Sequence, residues 1–75
     1  MKVTTKHTSN ANGRGQVIAK GMGKQLTISW DHSTTPERNN ELAAVAFKDK
    51  HFPSGFVQWP CEVKDNGVRV WTLYI

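Results

Sequence analysis

The chain has 75 residues, a net charge of +4 and a hydrophobic content of 37%, which leaves room for one hydrophobic core and excludes a second domain with its own. Three Trp, three Phe and one Tyr carry it past the composition of a disordered segment. No apolar run approaches the ~20 residues of a membrane span, the opening Met1-Lys2-Val3-Thr4-Thr5-Lys6 lacks the apolar stretch of a signal peptide, and a lone Cys61 cannot staple the fold from within. A cytoplasmic protein without membrane contact is the expectation.

The charge is unevenly placed. Residues 1–30 carry Lys2, Lys6, Arg14, Lys20 and Lys24 and no Asp or Glu, whereas residues 31–75 carry five basic and six acidic side chains. These five N-terminal cations are the candidate partner-binding residues, because a one-sided positive field draws polyanions or acidic protein surfaces. A lysine-decorated, solubilising surface is the plain alternative.

Residues 3–7 are β-prone but mostly polar and run into the turn formers Ser9 to Gly15, so residues 1–12 are expected to be disordered or an edge strand. Gln16–Lys20, the glycine turn Gly21-Met22-Gly23-Lys24 and Gln25–Trp30 read as strand, turn, strand. In the second strand Leu26, Ile28 and Trp30 alternate with Gln25, Thr27 and Ser29, which predicts one buried and one wet face.

A helix is predicted from Pro36 to about Lys50. Thr35 is an N-cap, Pro36 fits the first helical position and Glu37 suits the positive end of the dipole. Leu42, Ala43, Ala46 and Phe47 form its expected apolar stripe, with Val45 at the border. Phe52-Pro53-Ser54-Gly55 ends it.

The last third reads as a hairpin of Phe56–Lys64 and Val68–Ile75 around Asp65-Asn66-Gly67. A two-residue turn would leave Trp71, Leu73 and Ile75 on the face opposite Trp59 and Val63. A three-residue loop with Gly67 left-handed instead pairs Cys61 with Trp71 and Trp59 with Leu73, and separates Val57, Trp59, Cys61, Val63, Trp71, Leu73 and Ile75 from Gln58, Glu62, Lys64, Thr72 and Tyr74. The clean separation favours the second. Pro60 cannot donate to a ladder, which predicts an edge or a bulge there. The order (β)ββαββ gives an α+β fold, a mostly antiparallel sheet of four to five strands with one helix packed across it. Tyr74 and Ile75 could complete a sheet across a homodimer.

Catalytic and metal chemistry finds little support. Asp31-His32-Ser33 has the residue types of a hydrolase triad, but sequence neighbours point apart, and helix-start hydrogen bonding suits Asp31 and Ser33 better. Cys61 reads as a small buried hydrophobe. It shares no paired spacing with His7, His32 or His51, so no metal centre is expected, and no cofactor motif is present. The glycine turn lacks the spacing of a phosphate loop and precedes a strand instead of a helix.

The run Gly15-Gln16-Val17-Ile18-Ala19-Lys20, followed by Gly23-Lys24-Gln25-Leu26-Thr27 and then Asp31, resembles small uncharacterised accessory proteins of actinobacterial bacteriophages over residues 13–47. The resemblance implies an accessory protein acting in the host cytoplasm and supplies no activity or site residues. Taken with the charge, the expectation is a non-catalytic binding module whose basic N-terminal hairpin engages nucleic acid. The alternatives are an acidic host protein as the partner of that hairpin, a modulator docking on a host protein through a sheet edge or aromatic surface, and a small thiol or histidine enzyme.

Overall fold

The computed structural model describes residues 1–9 and 15–74. Their elements are β1 (Lys2–Ser9), β2 (Gly15–Gly21), β3 (Lys24–Ser29), α1 (Pro36–His51), β4 (Phe56–Val63) and β5 (Arg69–Tyr74). The strands form one antiparallel sheet in the order β3-β2-β1-β5-β4, and α1 lies across one face. This is the expected α+β architecture.

The first strand departs from expectation. Instead of lying at an edge, β1 occupies the centre, antiparallel to β2 on one side and to β5 on the other. Its side chains at Val3 and Thr5 are completely buried, although the strand is mostly polar. A hydrogen bond from Trp71 Nε1 to Thr5 Oγ1 at 2.9 Å satisfies both groups. Met1 extends the pairing: its amine donates to Leu73 O at 2.9 Å and its carbonyl accepts from Leu73 N at 2.7 Å.

The core is Val3, Val17 and Ala19 from the first two strands, Trp71 and Leu73 from β5, and Ala43, Ala44 and Phe47 from the helix. Full burial of Phe47 contributes roughly 1.5–3 kcal/mol. The two alanines let the helix approach the sheet closely. Leu26, Ile28 and Trp30 pack partly against this core, as their alternation predicts. Thr35 caps α1 by accepting from Arg38 N at 3.1 Å.

The helix stripe is rotated from the expected one. Asn39, Asn40, Ala43, Ala44 and Phe47 are buried, whereas Leu42, Val45 and Ala46 are half-buried. Asparagines tolerate this face because their amide nitrogens bond local backbone, although the buried Asn40 Oδ1 has no partner among the described residues. Asn39 Oδ1 accepts from Asp31 N at 2.7 Å, and its Nδ2 donates to Asp31 O at 2.9 Å and Thr35 O at 3.0 Å. Asn40 Nδ2 donates to Pro36 O at 2.8 Å. The loop before the helix is thereby tied to the helix itself.

The β2–β3 and β4–β5 hairpins are set by their turns. Gly21 pairs with Lys24 across the two-residue turn Met22-Gly23, where both residues have positive φ, 51° and 74°. At the second turn Gly67 has φ 82°, and Lys64 N donates to Val68 O at 2.8 Å, which is the three-residue loop. Val63 then pairs with Arg69 and Glu62 with Val70, but beyond an irregularity between Gln58 and Glu62 it is Val57, not Trp59, that pairs with Leu73. Two extra residues on β4 around Pro60 account for the shift. Because two residues preserve strand parity, the expected separation of faces survives.

Candidate nucleic-acid interface

A helix covers one face of the sheet; among the described residues no element covers the other, open face. Since Val3, Thr5 and Ala19 point toward the helix, alternation sends Lys2, Thr4, Lys6, Ile18 and Lys20 to the open side. The registers place them as a grid. Thr4 lies between Val70 and Lys20, Lys20 is opposite Gln25, Lys6 is opposite Ile18, and Lys2 is opposite Thr72. Thr4, Lys6, Ile18, Lys20, Gln25 and Val68 line a shallow depression of about 230 Å³. Its floor is partly apolar and its rim is cationic.

Of the sequence-predicted residues, the structure brings Lys2, Lys6 and Lys20 together. Lys2 Nζ donates to Thr72 Oγ1 at 2.8 Å, while the Lys6 and Lys20 ammonium groups have no hydrogen-bond or ion-pair partner among the described residues. Lys24 does not join them. It pairs with Gly21, has the parity of Leu26 and Ile28, and sits close enough to His51 at the helix end to add to the lowering that burial imposes on that imidazole's pKa. The basic hairpin therefore does not present its lysines on one surface; the two-residue turn sends Lys20 and Lys24 to opposite faces. Arg14 lies outside the described residues.

The acidic groups divide the same way. Asp31, Glu37, Glu41 and Asp49 belong to the helix or the loop before it, Asp65 to the β4–β5 turn, and the open face carries Glu62. Glu62 bonds Lys64 Nζ at 3.0 Å, and Lys64, with a smaller contribution from Lys2, holds its carboxyl below the usual range. The open face is net positive and the helix layer is near balance, with Arg38–Glu41 and Lys48–Asp49 ion pairs.

Sequence reasoning missed the aromatic corner of this face. Phe56 pairs with Tyr74, and their rings stack with centroids 5.1 Å apart and planes 22° from parallel. Tyr74 Oη donates to Gln58 Oε1 at 2.6 Å, which fixes the phenol. Phe56 is 62% exposed and Tyr74 45%. The hairpin parity places Tyr74 with Gln58 and Thr72, and extending it two residues to Phe56 is the signal that finds the pair.

The reactive groups considered from sequence stand elsewhere. Asp31 Oδ1 accepts from Ser33 N at 2.9 Å and Ser33 Oγ at 2.5 Å, which lowers its pKa and makes it a loop brace. Cys61 is half-buried on the helix side, where burial raises its thiol pKa away from the reactive thiolate. Comparison with family models, with curated proteins and with solved structures gave no match to this chain, so the reading of this face rests on its own geometry and charge.

Proposed function

We propose that this protein is a non-catalytic binding module that engages nucleic acid through the open face of its sheet. The observation that carries the reading is the placement of Lys2, Lys6 and Lys20, from two adjacent strands, on one uncovered face, with Lys6 and Lys20 lining its depression. Phosphate-rich partners gain from such a cluster by counterion release. The segregation of four of six carboxylates to the helix layer and its loop adds to it. The resemblance over residues 13–47 supports a phage accessory role in a host cytoplasm.

Anisotropy of a labelled oligonucleotide over a salt series tests the reading. Each phosphate contact contributes about 0.7–0.9 to the slope of log affinity against log salt. Replacing Lys2, Lys6 and Lys20 together by Gln should lower the slope by about 2–3, while Lys24→Gln leaves it unchanged. Absence of binding at low salt, or equal losses from Lys24→Gln, overturns the assignment.

One observation favours a protein partner instead. Trp59 and Val63 are 52% and 58% exposed along the irregular edge strand β4, on the helix side. Trp59→Ala separates the two: a nucleic-acid module keeps its oligonucleotide affinity, and a protein modulator loses a partner captured after nuclease treatment.

A further inference from the structure

We infer that the open face takes its nucleic acid as a single strand, with a base stacked on Phe56 while phosphates meet Lys2, Lys20 and Lys6. The inference rests on the nucleic-acid reading above and names the form of the ligand.

Shape excludes insertion into a duplex. Five strands spaced about 4.8 Å apart make a face about 19 Å across between the outer strands. A major groove is about 12 Å wide and accepts a helix or a two-stranded ribbon, not a broad sheet presented face-on. Toward Ser9 the face narrows to the three strands β3-β2-β1, which is still broader than a two-stranded ribbon. A flexible single strand can lie flat on such a surface.

The chemistry along the face matches what a single strand offers. Phe56 belongs to β4, which has no strand beyond it, and the stack with Tyr74 covers only one side of its ring. The free side is a π-face at a sheet corner, held in place by its neighbour and by the Tyr74–Gln58 hydrogen bond. Bases hidden inside a duplex cannot reach it. From that corner the chain of contacts continues to Lys2, which is opposite Thr72, two residues along β5 from Tyr74. Lys20 flanks Thr4, and Lys6 lies about 13–14 Å beyond Lys2 along the same strand. Ile18, Val68 and Val70, all half-buried, give apolar floor between the cations. Alternating aromatic platform and cationic groove is the pattern that single strands exploit without sequence preference.

The test uses the full chain and three labelled probes: a strand of about 12 nucleotides, its duplex, and an abasic strand of equal length. The single strand should bind tighter than either of the others. Phe56→Ala should weaken the normal strand about 5- to 100-fold, bring it to the level of the abasic strand, and leave the duplex and abasic affinities and the salt slope unchanged. Phe56→Trp should restore it. If Phe56→Ala loses its circular-dichroism spectrum, the three-probe comparison on the unaltered protein still decides. Equal binding of strand, duplex and abasic probe overturns the single-strand inference while the nucleic-acid reading stands; no binding of any probe overturns both.

Discussion

The indole Nε1 of Trp71 donates to Thr5 Oγ1 at 2.9 Å, with both residues completely buried, and this bond joins the two strands at the middle of the sheet. Leaving a buried donor unpaired costs about 1–3 kcal/mol. Thr5→Val keeps the shape and removes the acceptor, so its urea midpoint should fall accordingly, whereas Thr5→Ser keeps the hydroxyl and loses less. Equal stability of the valine and wild-type proteins would show that the bond contributes nothing net.

Asn39 should tolerate neither a smaller nor an acidic replacement. Its amide donates to Asp31 O and Thr35 O, so Asn39→Asp sets a carboxylate against two carbonyls despite its favourable position near the helix N-terminus. Asn39→Ala is expected to lower stability by about 2–3 kcal/mol, and Asn39→Asp at least as much, as measured by denaturant melts. An aspartate variant as stable as wild type would refute this account of the loop.

Met22 offers a gain. A non-glycine residue at φ 51° in a two-residue hairpin turn is held in a conformation that asparagine adopts more readily. Met22→Asn should stabilise by about 0.5–1 kcal/mol and raise Tm by about 2–8 °C.

Acid should weaken the fold in two stages. Burial, assisted by Lys24 and Lys50, depresses the His51 pKa below 6.5, so the unfolded chain takes up this proton first and stability falls as pH drops below about 6.5. Asp31 and Glu62 are likewise depressed, from 3.8 and 4.5, and their contribution is lost only below about pH 4.5. Thermal melts across pH should show both limbs, and His51→Phe, set against Phe47 and Phe52, should remove the upper one.

What the sequence made legible was local. Thr35-Pro36-Glu37 marks the helix start, Gly67 fixes the second loop, and Leu26-Thr27-Ile28 assigns two faces, because each signal lies within a few residues. The place of β1 was not legible, since its apolar content is little more than Val3 and the burial of Thr5 depends on Trp71, 66 positions away. Asn39 and Asn40 hid the helix stripe because their burial requires backbone partners, Asp31 in the folded loop and Pro36 in the first helical turn, that only the folded chain supplies. For the interface, the excess of N-terminal cations was visible, but their sorting was not. Counting across the Met22-Gly23 turn separates Lys20 from Lys24; bringing Lys2 and Lys20 into one cluster with Phe56 and Tyr74 needs the strand order.

The central position of β1 also dictates when the molecule can finish assembling on a ribosome. The meander β1–β2–β3 and the helix emerge first, yet one side of β1 keeps its backbone groups unmatched until β5 has been synthesised and cleared the exit tunnel. Closure across so long a loop is slow relative to hairpin and helix formation. During translation the nascent protein therefore passes through an interval in which its future midline is a bare, pairing-competent border.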